Sequence, residues 1–380
     1  MRPVPFFEWL QNAFVRLSTI RTHPGSPGAS DDGAGHEAFA AARALSRLLM
    51  ENRTVFAGDT SDIPNILGNL FRAQGDIDRA VKLREALLVH PDANEAHKAR
   101  TFFELACDYR KAGLLDRAQM AYKEARRFGF DDRAIRNELA YLFADSGDFV
   151  AAALELAAVA NPQAEAYFLV MQAREQAGTG NDQPAIKLLR QALVVSPESP
   201  EALLALTCMN LMNGDWRSAH KQFAPGLAHA GASPRLILLE GLHAYITGPA
   251  APAIPTESLD AFVQAVGADL TFGRTDLLLC YYGGLFMQRM KKTEEAEQWF
   301  TKTLLLDPEF WAARLALLAL VAERETLAPL LANQIAFFSQ KASESKRFFC
   351  RPCGMRRDSV FSFCPRCRAW HSIAFRLYLN

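Results

Sequence analysis

The sequence predicts an all-α array of stacked helical hairpins that ends in a small metal-binding domain. Three observations carry this: a helix-breaking turn returns at intervals of 33 to 38 residues, small residues stand at fixed distances on both sides of it, and two Cys-x-x-Cys pairs crowd the C-terminus. At 380 residues the chain has room for two or three compact domains or one elongated array. Its 42 Lys and Arg balance 42 Asp and Glu, which excludes a globally basic nucleic-acid binder and an acidic disordered chain alike.

The N-terminal segment, residues 1–22, places Phe6, Leu10, Ala13, Phe14, Leu17 and Ile20 three or four residues apart, with Trp9 close to the same face, so it reads as an amphipathic helix. The stripe has two readings: packing on the first hairpin or on a partner helix, which is favoured, or a membrane-surface anchor with Arg2, Arg16 and Arg21 near anionic lipid. Glu8, Gln11, Asn12 and Arg16 interrupt it, unlike a secretory signal. No run of about 18 apolar residues occurs anywhere, so no transmembrane helix is expected. The expected location is the cytoplasm, with peripheral contact at the inner face of the cytoplasmic membrane if the stripe is an anchor. Residues 23–35, rich in Pro, Gly, Ser and Asp, read as a flexible linker.

Residues 36–340 read as the array. A Gly is followed five residues later by Ala at Gly75/Ala80, Gly113/Ala118, Gly147/Ala152, Gly180/Ala185 and Gly214/Ala219, with Gly-to-Gly intervals of 38, 34, 33 and 34 residues. A sixth turn carries Lys291 with Ala296, and the 77-residue gap before it leaves room for one irregular unit. Seven residues before each turn stands a small residue (Gly68, Ala106, Ala140, Ala173, Thr207, Gly284), where two helices must approach closely. Nine residues after it stands Tyr122, Leu156, Leu189, Phe223 or Phe300, with Arg84 the exception. Units often close on proline, as at Pro91, Pro197 and Pro308. This is the tetratricopeptide pattern, whose hairpins stack into a superhelix with a groove that would take a protein client. The stretch 233–266 is degenerate, and its Pro/Ala insertion, Gly248 to Pro255, must loop out. After Pro308, Phe310 to Ala322 and Glu325 to Gln340 read as two more helices, the second able to cap the array.

Residues 341–380 hold the chemistry. Cys350, Cys353, Cys364 and Cys367 form two knuckles ten residues apart, which supply four soft ligands to one Zn2+ or one Fe ion. Gly354, Pro352 and Pro365 suit turns whose N–H groups point at sulfur. A closed four-thiolate site leaves no open coordination position, so the expected role is structural, not catalytic. Phe348, Phe349, Phe361, Phe363 and Trp370 would shield it, and His371 is not needed as a ligand. The segment carries nine basic residues against two acidic ones, plus 7, so residues 1–340 carry minus 7. The favoured reading is docking of this ribbon on the acidic array or on an acidic partner; nucleic-acid binding by the basic ribbon is the alternative. An iron-based redox role stands third.

No phosphate-binding loop, His-Glu-x-x-His or Gly-x-Ser-x-Gly motif occurs, so the chain is not expected to be an enzyme. His90, His97, His220, His229 and His243 are scattered through the repeats and read as packing or solvent-facing. Cys107, Cys208 and Cys280 read as small buried apolar residues.

Helical repeats followed by Cys350-x-x-Cys353-Gly354 and Cys364-Pro365-x-Cys367-Arg368-Ala369-Trp370, with Ser372 and Ile373 continuing the pattern, resemble the LapB-type lipopolysaccharide assembly proteins. Leu67 to Ala80 is similar to an early repeat of that family, and the likeness runs from about residue 60 to the C-terminus. The resemblance implies a tetratricopeptide array with a rubredoxin-like metal domain. It implies a non-enzymatic regulator that promotes degradation of the lipid A enzyme LpxC by the membrane protease FtsH. Family members usually begin with a transmembrane helix, whose place the N-terminal stripe could take here if it is an anchor.

Overall fold

The computed structural model describes residues 63–89, 93–247, 254–272, 276–324, 327–343 and 347–377. The amphipathic segment 1–22, the linker 23–35, the start of the array to residue 62, His90, Pro91 and residues 248–253 of the Pro/Ala insertion lie outside the described residues. The described residues form sixteen helices and a three-stranded sheet. They divide into two compact units, the first ending at Leu142 and the second beginning at Phe143. The first holds α1 (Ile63–Ala73), α2 (Ile77–Leu88), α3 (Glu95–Lys111), α4 (Leu115–Arg127) and most of α5 (Asp132–Asp145). In the second follow α6 (Phe149–Ala158), α7 (Pro162–Gly178), α8 (Asp182–Val195), α9 (Pro200–Met212), α10 (Trp216–His229), α11 (Ala232–Thr247) and α12 (Thr256–Phe272). They continue as α13 (Leu277–Arg289), α14 (Thr293–Leu306), α15 (Trp311–Arg324) and α16 (Pro329–Ser343), then β1 (Phe348–Cys350), β2 (Arg356–Arg357) and β3 (Ile373–Phe375).

Five hairpins turn the same way for the same reason. Gly75, Gly113, Gly147, Gly180 and Gly214 sit at φ between 75° and 83°, the left-handed conformation that ends a helix at no steric cost in glycine. At each, the next residue's N–H reaches back to the carbonyl five residues earlier, as Asp76 to Phe71 at 2.9 Å, Asp148 to Phe143 at 2.8 Å and Asp215 to Asn210 at 2.9 Å. Asp76, Asp148 and Asp215 then cap the next helix by accepting from Arg79, Ala151 and Ser218 N–H. Lys291, the residue without glycine's freedom, adopts φ 59° all the same, and Lys292 N–H closes on Met287 O at 3.0 Å.

The repeat positions are the core. Ala80, Ala106, Ala118, Ala140, Ala152, Ala185, Ala219 and Ala296 have no accessible surface, and Tyr122, Leu156, Phe223 and Phe300 are equally enclosed. A Cβ on Gly284 would run into the Phe300 ring, and one on Gly68 into the Arg84 guanidinium, so at these two crossings the close approach requires glycine. Arg84, which breaks the apolar pattern, is nonetheless fully buried. Its Nη1 pairs with Asp108 Oδ2 at 2.8 Å and its Nη2 with Glu104 Oε2 at 3.4 Å, while Arg72 meets Glu104 at 2.8 Å and Asp108 at 3.0 Å. Asn69 Oδ1 accepts from both arginines.

The irregular unit is the pair α11 and α12: α11 packs on α9 and α13, and α12 on α10 and α13, with Phe262 against Phe223 at 5.8 Å between ring centroids. α16 packs on α15, the helix before it, as a cap would, but its outer side is apolar: Leu330, Leu331, Phe337 and Phe338 are 74%, 51%, 52% and 59% exposed.

Candidate metal centre

The sheet that carries the cysteines has the order β2-β1-β3, antiparallel throughout, with Phe348 opposite both Arg357 and Phe375, and Cys350 opposite Ile373. Alternation points Phe348 and Cys350 inward on β1 and Ile373 and Phe375 inward on β3, all four buried. The two knuckles repeat one another. In the first, Gly354 N–H donates to Cys350 O at 2.8 Å and Cys350 N–H to Met355 O at 2.8 Å; in the second, Arg368 N–H donates to Cys364 O at 2.8 Å and Cys364 N–H to Ala369 O at 3.0 Å. Gly354 at φ 68° and Arg368 at φ 58° occupy the same left-handed place. Met355 N–H faces the sulfur of Cys353 and Ala369 N–H that of Cys367.

These turns bring the four sulfurs within 4.8 Å of one another, with Cys350 to Cys367 at 3.5 Å and Cys353 to Cys364 at 3.6 Å. A tetrahedral ion bonded at about 2.3 Å needs its sulfurs about 3.8 Å apart, so the cluster has the size of a metal site. Its electrostatics agree. Burial opposes ionisation of Cys350, yet the Ser372 hydroxyl, the Cys353 N–H and the neighbouring thiols bring it down to about 7. Desolvation and the same neighbours push Cys367 up to about 12, and Cys353 also rises. Ionisation is thus favoured at Cys350 and opposed at Cys353 and Cys367, so a bound cation would be what lets these three carry charge together. His371 stands apart from the four, its Nε2 3.0 Å from Glu201 Oε1.

The ribbon lies against the repeats, not at the end of the array as a terminal clamp would. Its contacts fall on α7, α9, α11, α13 and α15 and on Phe310 just before α15, the first helices of five successive hairpins. Trp370 meets Tyr167 and Phe168 at 5.1 and 6.4 Å between ring centroids. Phe375 meets Tyr281, Phe310 and Trp311 at 5.9, 5.4 and 6.5 Å. Ser233 Oγ donates to Ile373 O at 2.6 Å and Trp311 Nε1 to Arg376 O at 2.9 Å. Two buried carboxylates of the repeats take basic partners from the ribbon: Glu201 takes His371, and Glu240 takes Arg347 at 2.8 Å while also accepting from Tyr282 Oη at 2.7 Å. Docking on the array therefore occurs, but mostly through apolar packing. Arg351, Arg356, Arg357, Arg366 and Arg368 remain exposed. Sequence reading missed Glu201 and Glu240, although a lone carboxylate inside Leu238-Leu239-Glu240-Gly241-Leu242 was a visible sign of a buried partner.

Among the described histidines, His220 pairs with Asp269 at 2.7 Å, His229 with Pro225 O at 2.8 Å, and His243 lies near the Tyr282 ring at 6.2 Å, where burial lowers its pKa. Cys208 is held as a neutral thiol, pushed by burial up to about 12.

No protein-family model matches the chain. Lipopolysaccharide assembly protein B of Haemophilus influenzae is 24% identical over 317 residues, covering 81% of this chain and 77% of that one. The chain is similar to lipopolysaccharide assembly protein B. The protein of that name from Escherichia coli K12 is 22% identical over 324 residues, covering 81% of this chain and 79% of its own. Among solved structures, a tetratricopeptide repeat protein from Parabacteroides merdae is 18% identical, covers 70% of this chain and 100% of that one, and superposes with a TM-score of 0.35. PilW, a type IV pilus biogenesis factor, is 14% identical, covers 68% and 98%, and gives a TM-score of 0.28. The repeat assignment rests on the hairpins themselves, not on these low scores.

Proposed function

We propose that the chain is a non-enzymatic protein-binding adaptor of envelope biogenesis. In this reading it restrains lipopolysaccharide synthesis by presenting the lipid A enzyme LpxC to a membrane protease of the FtsH kind, as the family it resembles does. The observation that carries this is the similarity to lipopolysaccharide assembly protein B across 81% of the chain. Cys350, Cys353, Cys364 and Cys367 hold one Zn2+ or Fe ion, whose four thiolates stabilise the ribbon and leave no position for substrate. Since the ribbon covers the first helices of the second unit, the client is assigned to α1 and α3 of the first. Residues 341–380 constitute the rubredoxin-like domain and residues 36–340 the array. The site of action is the inner face of the cytoplasmic membrane; none of the described helices is long and apolar enough to cross it.

The exposed arginines of the ribbon favour a second reading, nucleic-acid binding. Affinity capture from native membranes and cytosol separates the two. Recovery of the protease and LpxC, with LpxC accumulating when the chain is absent, supports the adaptor. Recovery of RNA instead, lost steeply with salt and abolished by replacing Arg356, Arg357 and Arg366, overturns it.

A further inference from the structure

We infer that α16 and the arginine edge of the ribbon together form a contact surface for an anionic phospholipid bilayer, separate from the N-terminal stripe. Leu331, Ile335 and Phe338 recur at helical spacing, and Leu330 and Phe337 widen the same apolar arc. The four of these that are leucine or phenylalanine are each more than half exposed, an arrangement that water alone does not favour. A helix with phenylalanine and leucine on one side and basic residues close by is the form that lies in a membrane interface.

The basic residues are close by construction. From Ser343 to Phe348 the chain takes five steps, so β1 starts within about 18 Å of the end of α16. Arg357 pairs across from Phe348 and Arg356 from Phe349, about 5 Å further. Both arginines lie on β2, the edge strand, and both are exposed. The helix itself is about 22 Å long, so the arginine edge falls within about one helix length of its end.

Charge decides the occupant. Nine basic side chains against two acidic ones keep residues 341–380 strongly positive even when four thiolates around a divalent ion take away two charges, which sets two copies against each other if α16 pairs with α16, whereas an anionic bilayer takes up the apolar side chains and the arginines at once. This surface deepens the proposed site of action, yet protein-free vesicles test it without any client or protease, so the two fail separately.

The test is co-sedimentation of the full chain with vesicles of phosphatidylglycerol and phosphatidylethanolamine, beside phosphatidylcholine vesicles. The chain is expected to bind the former and not the latter. Leu330→Ser with Phe337→Ser and Phe338→Ser, and separately Arg356→Glu with Arg357→Glu, should each weaken binding about tenfold or more. Circular dichroism and metal content should be unchanged, since all five side chains are exposed. Leu10→Ser with Phe14→Ser should leave that binding in place. The inference is overturned if wild type ignores anionic vesicles or binds neutral ones equally. It is overturned as well if the α16 variant binds as wild type, or turns a dimer into a monomer while vesicle binding persists. Loss of RNA binding alone in the arginine variant also overturns it.

Discussion

Arg84 occupies the position that other hairpins give to Tyr122, Leu156, Leu189, Phe223 and Phe300, and its surroundings are built for the charge. Gly68 leaves room for the guanidinium, Asp108 and Glu104 face it, and Arg72 balances the second carboxylate. Burial pushes Arg84 down and Asp108 up, against their mutual attraction. Removing one partner of such a buried pair costs more than the pair contributes, because the other is left uncompensated. Arg84→Met should therefore lower the stability of the first unit by about 3–5 kcal/mol in urea unfolding. Glu201 is the corresponding residue of the second unit. Burial disfavours its charge, yet His371 and the Ser362 hydroxyl outweigh this and hold it below the usual carboxylate value of 4.5. A carboxylate depressed in this way stabilises the fold above 4.5 and loses that contribution as pH falls through the folded value. Glu201→Gln should thus destabilise the chain at pH 7, and the gap from wild type should narrow below about pH 4.5 in paired denaturation curves.

The hairpin is the element in which sequence and structure agree most closely, because its turn is chemically local. Glycine at the left-handed position, an aspartate after it and alanines at the crossing each act within a few residues, so their spacing could be read without coordinates. Lys291 is the departure, and it is a testable one. It holds φ 59°, which costs a side-chain-bearing residue about 1–2 kcal/mol, against roughly 0.5–1 kcal/mol of extra backbone entropy for glycine. Lys291→Gly should therefore stabilise the α13–α14 hairpin by about 0.5–1 kcal/mol, seen as a rise in thermal midpoint, while Gly180→Ala should lower it. The apolar outer side of α16 was not legible. Its pattern suits a helix covered on both sides and one exposed on the outside equally, and only packing distinguishes them.

In the second unit, repeats and ribbon share one core: Phe348, Cys350, Phe361, Cys364, Ile373 and Phe375 belong to the same apolar cluster as Phe223, Tyr282 and Phe310. The four cysteines were legible because both knuckles are short and self-contained. The face they dock on was not, since Glu201 and His371 stand 170 positions apart and Ser233 and Ile373 140 apart, and nothing local links them. Opposite net charges of array and tail pointed to docking but could not name its partners. On the reading proposed above, the metal would hold the ribbon and the ribbon in turn the helices it covers. Amide hydrogen exchange of the full chain, before and after a chelator removes the metal, reads this out helix by helix. Exchange should become faster in the knuckles and, with them, in α9, α11 and α13, while α3 and α4 keep their protection. Unchanged protection in α9, α11 and α13 after complete metal loss would contradict it.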